Sequence, residues 1–313
     1  MKKIKWLLSV FMVLVLTLQI LPGLSKVSAD ETSASVQYLG ENNSDVGIEI
    51  PLEFVEEYNE TENPNEVTER YYFITFNEDG TTQTEEVQKD QLSMHSVQPL
   101  GLNGVGVSVR NDPVAGQPKM SVTARIVTLT GTKPNKLDFK LQLGRSMTRS
   151  STTSIISSVT YTLQGVLGVQ VGKEVKHTFD ISGTGFYTGV LDLTAKNLLG
   201  GVLGTDRSNT STLLVNKKGV LYPPYTDPAS GKVMTEPARA DWARTTSIPW
   251  TSSDREKFKT WYNQTYPNNY DWSKNEVHHI RPRNLGGTNV NSNLMPIPTT
   301  FHRGTVSPWF VNY

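Results

Sequence analysis

Apolar and polar residues alternate through the middle of the chain. Met120, Val122, Ala124 and Ile126 form one run, Leu137, Phe139, Leu141 and Leu143 a second, and Val159, Tyr161 and Leu163 a third. A period of two puts every second side chain on one face, so these runs predict β-strands that each turn one face to a core. Val175, Phe179 and Ile181 continue the pattern. His177 shares their face without other ligand-type residues nearby and reads as structural. Asn111-Asp112-Pro113 precedes the first run and Gly131-Thr132-Lys133-Pro134-Asn135 separates the first two, which predicts antiparallel strands with short connections. The expectation is a β-sandwich over residues 96–215. No glycine-rich phosphate loop, Gly-x-Ser-x-Gly elbow or fixed-period repeat stands out there, so it is assigned no chemistry.

Toward the C-terminus the pattern changes. Pro223-Pro224, Asp227-Pro228 and Gly231 form a loop-rich joint, after which Phe258, Trp261 and Tyr262 recur at helical spacing behind a capping-box sequence at Ser253 to Glu256. Five of the six tryptophans lie beyond residue 240, as suits a small core without disulfides. These shifts mark residues 216–313 as a separate domain whose joint few contacts should cross. Within it, Val277 and Ile280 predict a strand, Pro282, Asn284, Gly286 and Gly287 a loop, and Leu294 to Ile297 a returning strand. Pro298 suits the first turn of a closing helix, because its missing N–H costs nothing there.

The other end of the chain bears on location. Lys2, Lys3 and Lys5 precede an apolar run from Trp6 to Leu21, then Pro22-Gly23 and the small residues Val27-Ser28-Ala29. This reads as a secretory signal over residues 1–29; an uncleaved anchor is the alternative, which the helix-breaking Pro22-Gly23 disfavours. The expected product is a secreted chain beginning at Asp30, with no stable membrane association after cleavage. It has no cysteine, so its stability must come from its core. The formal net charge of zero hides an asymmetry. From Asp30 to Asp90, seventeen acids face two bases, a net of −15, whereas from Asn216 onward twelve bases face seven acids, a net of +5. Residues 30–95 therefore read as an acidic segment, partly disordered or part of the β domain, that could also lie over the basic module. A basic module suits a polyanion.

Three of the five histidines, His278, His279 and His302, fall in the predicted hairpin and helix, while His95 sits in a polar stretch and reads as structural. Imidazole serves both as a metal ligand and as a general base near neutral pH. The series His278-His279-Ile280, Gly286-Gly287, Asn293-Leu294 and His302 resembles the HNH endonucleases, the ββα-metal nucleases that include the colicin DNases, over at most the last third of the chain. The resemblance implies a small ββα-metal nuclease domain, which with the sandwich-like all-β domain read from the alternation makes the expected chain α+β. It implies His279 as general base, Asn293 as the asparagine that braces the catalytic loop, and His278 and His302 as metal ligands, with Arg281 and Arg283 holding neighbouring phosphates. Colicin-type sites add a histidine one helical turn later, where this chain has Val306. Two protein ligands leave the rest of the shell to water and phosphate oxygens, which suits magnesium or manganese, with zinc or nickel as alternatives. The implied function is a secreted metal-dependent endonuclease acting on nucleic acid, DNA ahead of RNA. If it is a delivered toxin, an immunity protein is the expected partner. Lys257 and Lys259 are candidate phosphate contacts or plain surface lysines. The rival function is a secreted β-sandwich binding protein with an inactive HNH-like module. A structural zinc knuckle is disfavoured, since such sites favour cysteine.

Overall fold

The computed structural model describes residues 69–77, 79–92, 103–239, 241–266 and 270–313. The expected signal sequence, most of the acidic segment and His95 lie outside the described residues. The chain is mostly β, with two antiparallel five-stranded sheets followed by a hairpin and short helices. The first sheet runs in the order β2 (Thr82–Val87), β1 (Glu69–Phe76), β3 (Asn103–Pro113), β4 (Lys119–Thr130) and β7 (Glu174–Asp180). In the second, β6 (Ser154–Gln164) pairs with β5 (Lys136–Ser146), and β5 with β8 (Gly185–Lys196). The far edge of β8 pairs in succession with β10 (Leu213–Val215) and β9 (Val202–Asn209).

Alternation builds the core. The predicted inward residues of β4 and β5, from Met120 to Ile126 and from Leu137 to Leu143, are all 0% exposed and share one apolar cluster with Val105, Val107 and Leu191. Glu69 to Val87 joins the first sheet despite its acidity, because Tyr72, Ile74 and Phe76 turn inward while Glu85 and Glu86 lie exposed on edge strand β2. Charge on an edge strand discourages pairing with another chain.

Two turn expectations need correction. Asn111-Asp112-Pro113 is not a turn but the end of β3, where Asn111 is fully buried and its Nδ2 donates to the Tyr187 carbonyl at 3.2 Å. An asparagine whose amide finds a backbone partner across the core can stay in a strand. The connection at residues 131–135 is short, as expected, but carries the chain from β4 in one sheet to β5 in the other.

In the C-terminal part, α1 (Ser252–Thr265) buries Phe258 and Tyr262. Its capping box is Thr251 with Asp254, two residues ahead of the one expected: the Thr251 hydroxyl accepts from the Asp254 N–H, and the Asp254 carboxylate accepts from the Thr251 N–H. The strands β11 (Asn275–His279) and β12 (Leu294–Pro298) form an antiparallel hairpin with His279 opposite Leu294. A helix follows in three pieces, α2 (Thr299–Phe301), a π-helical turn (His302–Val306) and α3 (Ser307–Val311). Pro308 explains the wide turn. It has no N–H to give the Gly304 carbonyl and its ring would crowd that group, so the Ser307 N–H reaches back five residues to His302.

The joint at Asn216 carries many contacts. Phe186 and Leu214 of the second sheet share a cluster with Tyr222, Met295, Ile297 and Trp309. Asn216 Nδ2 donates to the Trp309 carbonyl at 3.3 Å, and Trp309 Nε1 to the Val220 carbonyl at 2.9 Å. Within the loop-rich stretch Asp227 is 0% exposed and accepts hydrogen bonds from the hydroxyls of Ser230 and Tyr262. Residues that share a core lose it together. Chemical unfolding followed by tryptophan fluorescence, which reports residues 242–309, should therefore coincide with unfolding followed by far-ultraviolet circular dichroism, which is dominated by the sheets. A tryptophan transition at clearly lower denaturant would show that the C-terminal part unfolds alone.

Candidate active site

The hairpin register fixes the site. Alternation on β11 puts Glu276 and His278 on one face and Val277 and His279 on the other. On the first face, His278 Nδ1 lies 3.1 Å from His302 Nε2, and His302 Nδ1 lies 2.8 Å from Glu276 Oε2. The other oxygen of Glu276 takes the guanidinium of Arg303, with Nε at 2.9 Å. That contact is the first of the causes holding the Glu276 carboxyl below the usual carboxylate range, so it is ionised at neutral pH. An ionised Glu276 accepts from His302 Nδ1–H, so Nε2 is the ring nitrogen that His302 turns to His278.

His278 is 5% exposed, and burial, with the nearby His302 and His279, pushes its pKa down to about 3. It is therefore a neutral imidazole, the form that binds metal. Its Nε2 is buried without a hydrogen-bond partner among the described residues. Two ring nitrogens on one ion with metal–nitrogen bonds of about 2.05 Å sit about 2.9 Å apart at a right angle and about 3.4 Å apart at a tetrahedral one. The observed 3.1 Å falls between. A carboxylate on the far nitrogen of a ligating histidine fixes its tautomer and raises its basicity, and Glu276 occupies that position for His302. His278 and His302 thus fit a divalent ion, although no group of three histidine or acidic side chains able to hold a metal occurs among the described residues.

On the opposite face, His279 packs edge-on against Trp250, with ring centroids 4.6 Å apart, and its Nε2 lies 2.9 Å from Asn289 Oδ1. Asn289 Nδ2 donates to the Pro249 carbonyl at 2.8 Å, which settles which end of the amide faces the histidine. His279 therefore carries its proton on Nε2 and its lone pair on Nδ1. Burial first, and then the charges of Arg283 and His302, lower its pKa against the opposing pull of Asn289. Neutral His279 is a base.

Asn293 ties the two ends of the intervening loop. Its Oδ1 accepts from the Arg281 N–H at 2.9 Å, and its Nδ2 donates to the carbonyls of Arg281 at 3.1 Å and Thr288 at 2.8 Å. The loop passes so close that a Cβ on Gly287 would sit 1.7 Å from the Arg281 carbonyl oxygen, and Gly286 takes a φ of 88°. Only glycine fits both places. The arginines also brace the fold: Arg281 donates to the carbonyls of Leu285 at 2.6 Å and Asp241 at 2.5 Å and lies over the Trp242 ring, while Arg283 donates to the Ile248 carbonyl at 2.5 Å. Lys259 pairs with Glu256 at 2.9 Å.

The structure thus brings His278 together with His302 and sets His279 back to back with them. Glu276, Asn289 and Trp250 were not assigned by the sequence reading. Glu276 carried a signal, standing two residues before His278 and so on its face. Asn289 and Trp250 carried none, because only the fold of the loop brings them to His279. Comparison with family models, with curated proteins and with solved structures finds no match to the chain.

Asn293→Ala leaves the Arg281 N–H and two carbonyls without their partner and should lower unfolding free energy by about 2–3 kcal/mol, measured by urea titration. Asn289→Ala should leave stability nearly unchanged but release the tautomer. Nitrogen-15 chemical shifts of His279 should report Nε2–H in the parent and a mixture in the variant. A mixture already present in the parent would contradict the assigned role of Asn289.

Proposed function

We propose that this chain is a secreted, metal-dependent endonuclease of the HNH type that hydrolyses phosphodiester bonds in nucleic acid, with DNA as the first substrate to test. The observation that carries the reading is the pairing of His278 Nδ1 with His302 Nε2 at 3.1 Å, backed by Glu276, next in sequence to a neutral His279 of fixed tautomer. A second support is the loop closed by Asn293 over Gly286-Gly287, at the place where the resemblance puts its bracing asparagine.

In this reading His278 and His302 hold a divalent ion, with magnesium or manganese first and zinc or nickel second. Bound there, the ion supplies positive charge that stabilises the phosphate and the leaving oxygen as negative charge develops on them. In this reading the phosphate sits where β11 ends at His279, the place where one group can meet both faces of the strand. His279 takes a proton from water at Nδ1, the water oxygen bonds to phosphorus, and the ester P–O bond opposite breaks, its oxygen leaving as an alkoxide that takes a proton from solvent. As the His279 ring becomes charged, Asn289 Oδ1 strengthens its hold on Nε2–H, since a hydrogen bond to a charged donor is stronger than one to a neutral donor. Trp250 shields one side of the ring from water. Arg283, whose charge is felt at His279, is the better placed of the two arginines to attract a phosphate, because Arg281 is committed to two carbonyls. Secretion rests on the sequence of residues 1–29, and an immunity protein belongs to the toxin variant of the proposal.

Supercoiled plasmid tests this. The protein should nick it with a divalent metal, and a chelator should stop the nicking. His279→Ala should lower the rate about 100-fold or more at every metal concentration. His278→Ala and His302→Ala should instead weaken metal affinity and regain part of the rate as metal is raised. Asn289→Ala, which removes the hydrogen bond to the base together with the exposed one to the Pro249 carbonyl and touches neither proposed metal ligand, should reduce kcat roughly fivefold to tenfold with little change in metal affinity. Rescue of His279→Ala by metal, to the same degree as the two ligand variants, would falsify the division of roles.

A further inference from the structure

At the end of the two sheets where β4 passes to β5, three segments meet: residues 131–136, 164–173 and 196–202. Asn135 stitches them together. Its carbonyl accepts from the Gly165 N–H at 2.9 Å, its N–H donates to the Lys196 carbonyl at 3.0 Å, and its Nδ2 donates to the Val166 carbonyl at 3.2 Å. Two of the segments end in tight turns of the same form. The Gly168 N–H bonds to the Gly165 carbonyl at 3.0 Å, and the Gly200 N–H bonds to the Asn197 carbonyl at 3.0 Å. Corner positions of such turns ordinarily take polar residues or glycine and proline. Here they hold Val166-Leu167 and Leu198-Leu199, with Leu167 94% and Leu199 95% exposed. Nothing about turn formation asks for leucine, and adjoining exposed apolar side chains mark an interaction site.

Charge says what kind. The three segments contain Lys133, Lys136, Lys173 and Lys196 and no acidic residue. Lys196 pairs with Asp138, and Lys133 lies directly under the Gly165–Gly168 turn. Asp79, in the neighbouring β1–β2 turn, folds onto its own Thr81 at 2.9 Å. Protruding leucines on segments whose charged side chains are all lysines, with Lys133 at the base of one turn, match the two layers of an anionic bilayer, with acyl chains for the tips and headgroup phosphates for the ammonium groups. A protein partner would be expected to meet a flatter patch with polar groups paired at its rim. We infer that this end of the sheets is a peripheral membrane-docking tip, inserting Val166-Leu167 and Leu198-Leu199 into an anionic lipid surface. No helix among the described residues is long and apolar enough to cross a membrane, and the tip needs none. The inference is independent of the nuclease reading. It adds to secretion a reversible hold on a lipid surface.

The chain has no cysteine, so single-cysteine variants of the full protein label cleanly. Leu167→Cys and Leu199→Cys would each carry an environment-sensitive fluorophore, with Ala115→Cys, in the turn between β3 and β4 at the other end of those strands, as reference. On vesicles of phosphatidylcholine and phosphatidylglycerol, the labels at 167 and 199 should shift to the blue and be quenched by lipid-borne quenchers, while the label at 115 stays unchanged. On phosphatidylcholine alone the shift should be much smaller. Adding Leu199→Ser should raise the lipid concentration for half the shift at 167 about tenfold, the equivalent of losing one buried leucine. Four outcomes overturn the inference: no shift at 167 and 199, an equal shift at 115, an equal response to uncharged lipid, or a shift without vesicles that grows with protein concentration. The last would assign the tip to a second copy of the chain, and the first leaves a soluble partner as its occupant.

Discussion

The arrangement at the histidines depends on how the last helix is clamped. Val306 is 0% exposed and Trp309 1%, and they lie in one cluster with Met295 and Ile297 of the hairpin and with Phe186 and Leu214 of the second sheet. A buried tryptophan with its indole N–H bonded to the Val220 carbonyl has little freedom to move. That clamp sets where His302 stands relative to β11. The two histidines come from residues 24 apart and meet because apolar surfaces on either side of them close, since the contact itself is worth too little to hold the helix. The wide turn at His302 is the local adjustment that lets a helix containing Pro308 satisfy its backbone while keeping that clamp.

Burial does the electrostatic work on both faces of β11. His278 and His279 are adjacent, yet both are held neutral, chiefly because the hairpin takes them out of water. The charged groups stand at the margins: Glu276 with Arg303 on one face, Arg283 on the other. The neutral rings of His278 and His279, beside the carboxylate that orients His302 and the amide that orients His279, are the arrangement on which the proposed metal and base roles rest. In water the same side chains would titrate near neutrality and point in no fixed direction.

The sheets serve two ends. Toward the C-terminus they give Phe186 and Leu214 to the core under the hairpin, so the proposed nuclease part is seated on them. At the β4–β5 end they hold three loops together through one asparagine and lift apolar turn corners into solvent. A chain that keeps its histidine-bearing hairpin rigid can leave its other loops exposed, because the two demands fall on different parts of one scaffold.

Much of this was legible in the residues. Alternation from Met120 to Leu163 located β4, β5 and β6: the inward residues of β4 and β5 are fully buried, while Val159 and Tyr161 of β6 are partly buried against the same core, because a half-buried strand has no other way to satisfy both faces. The hairpin and closing helix were legible from Val277, Gly286-Gly287, Leu294 to Ile297 and Pro298, and the three histidines from their composition alone. Boundaries were less so. The helix cap lay at Thr251 rather than Ser253, and Asn111 proved to be a strand residue, since a cap or an inward asparagine is decided by which backbone group comes within reach. What only the tertiary structure decided is which side chains meet across distance. The approach of His278 to His302, the hold of Asn289 on His279, the burial of Asp227 under Tyr262 and the contacts across Asn216 all join residues that no local period relates. Sequence period fixes the face on which a side chain lies, while the closing of apolar surfaces between elements fixes what that face meets.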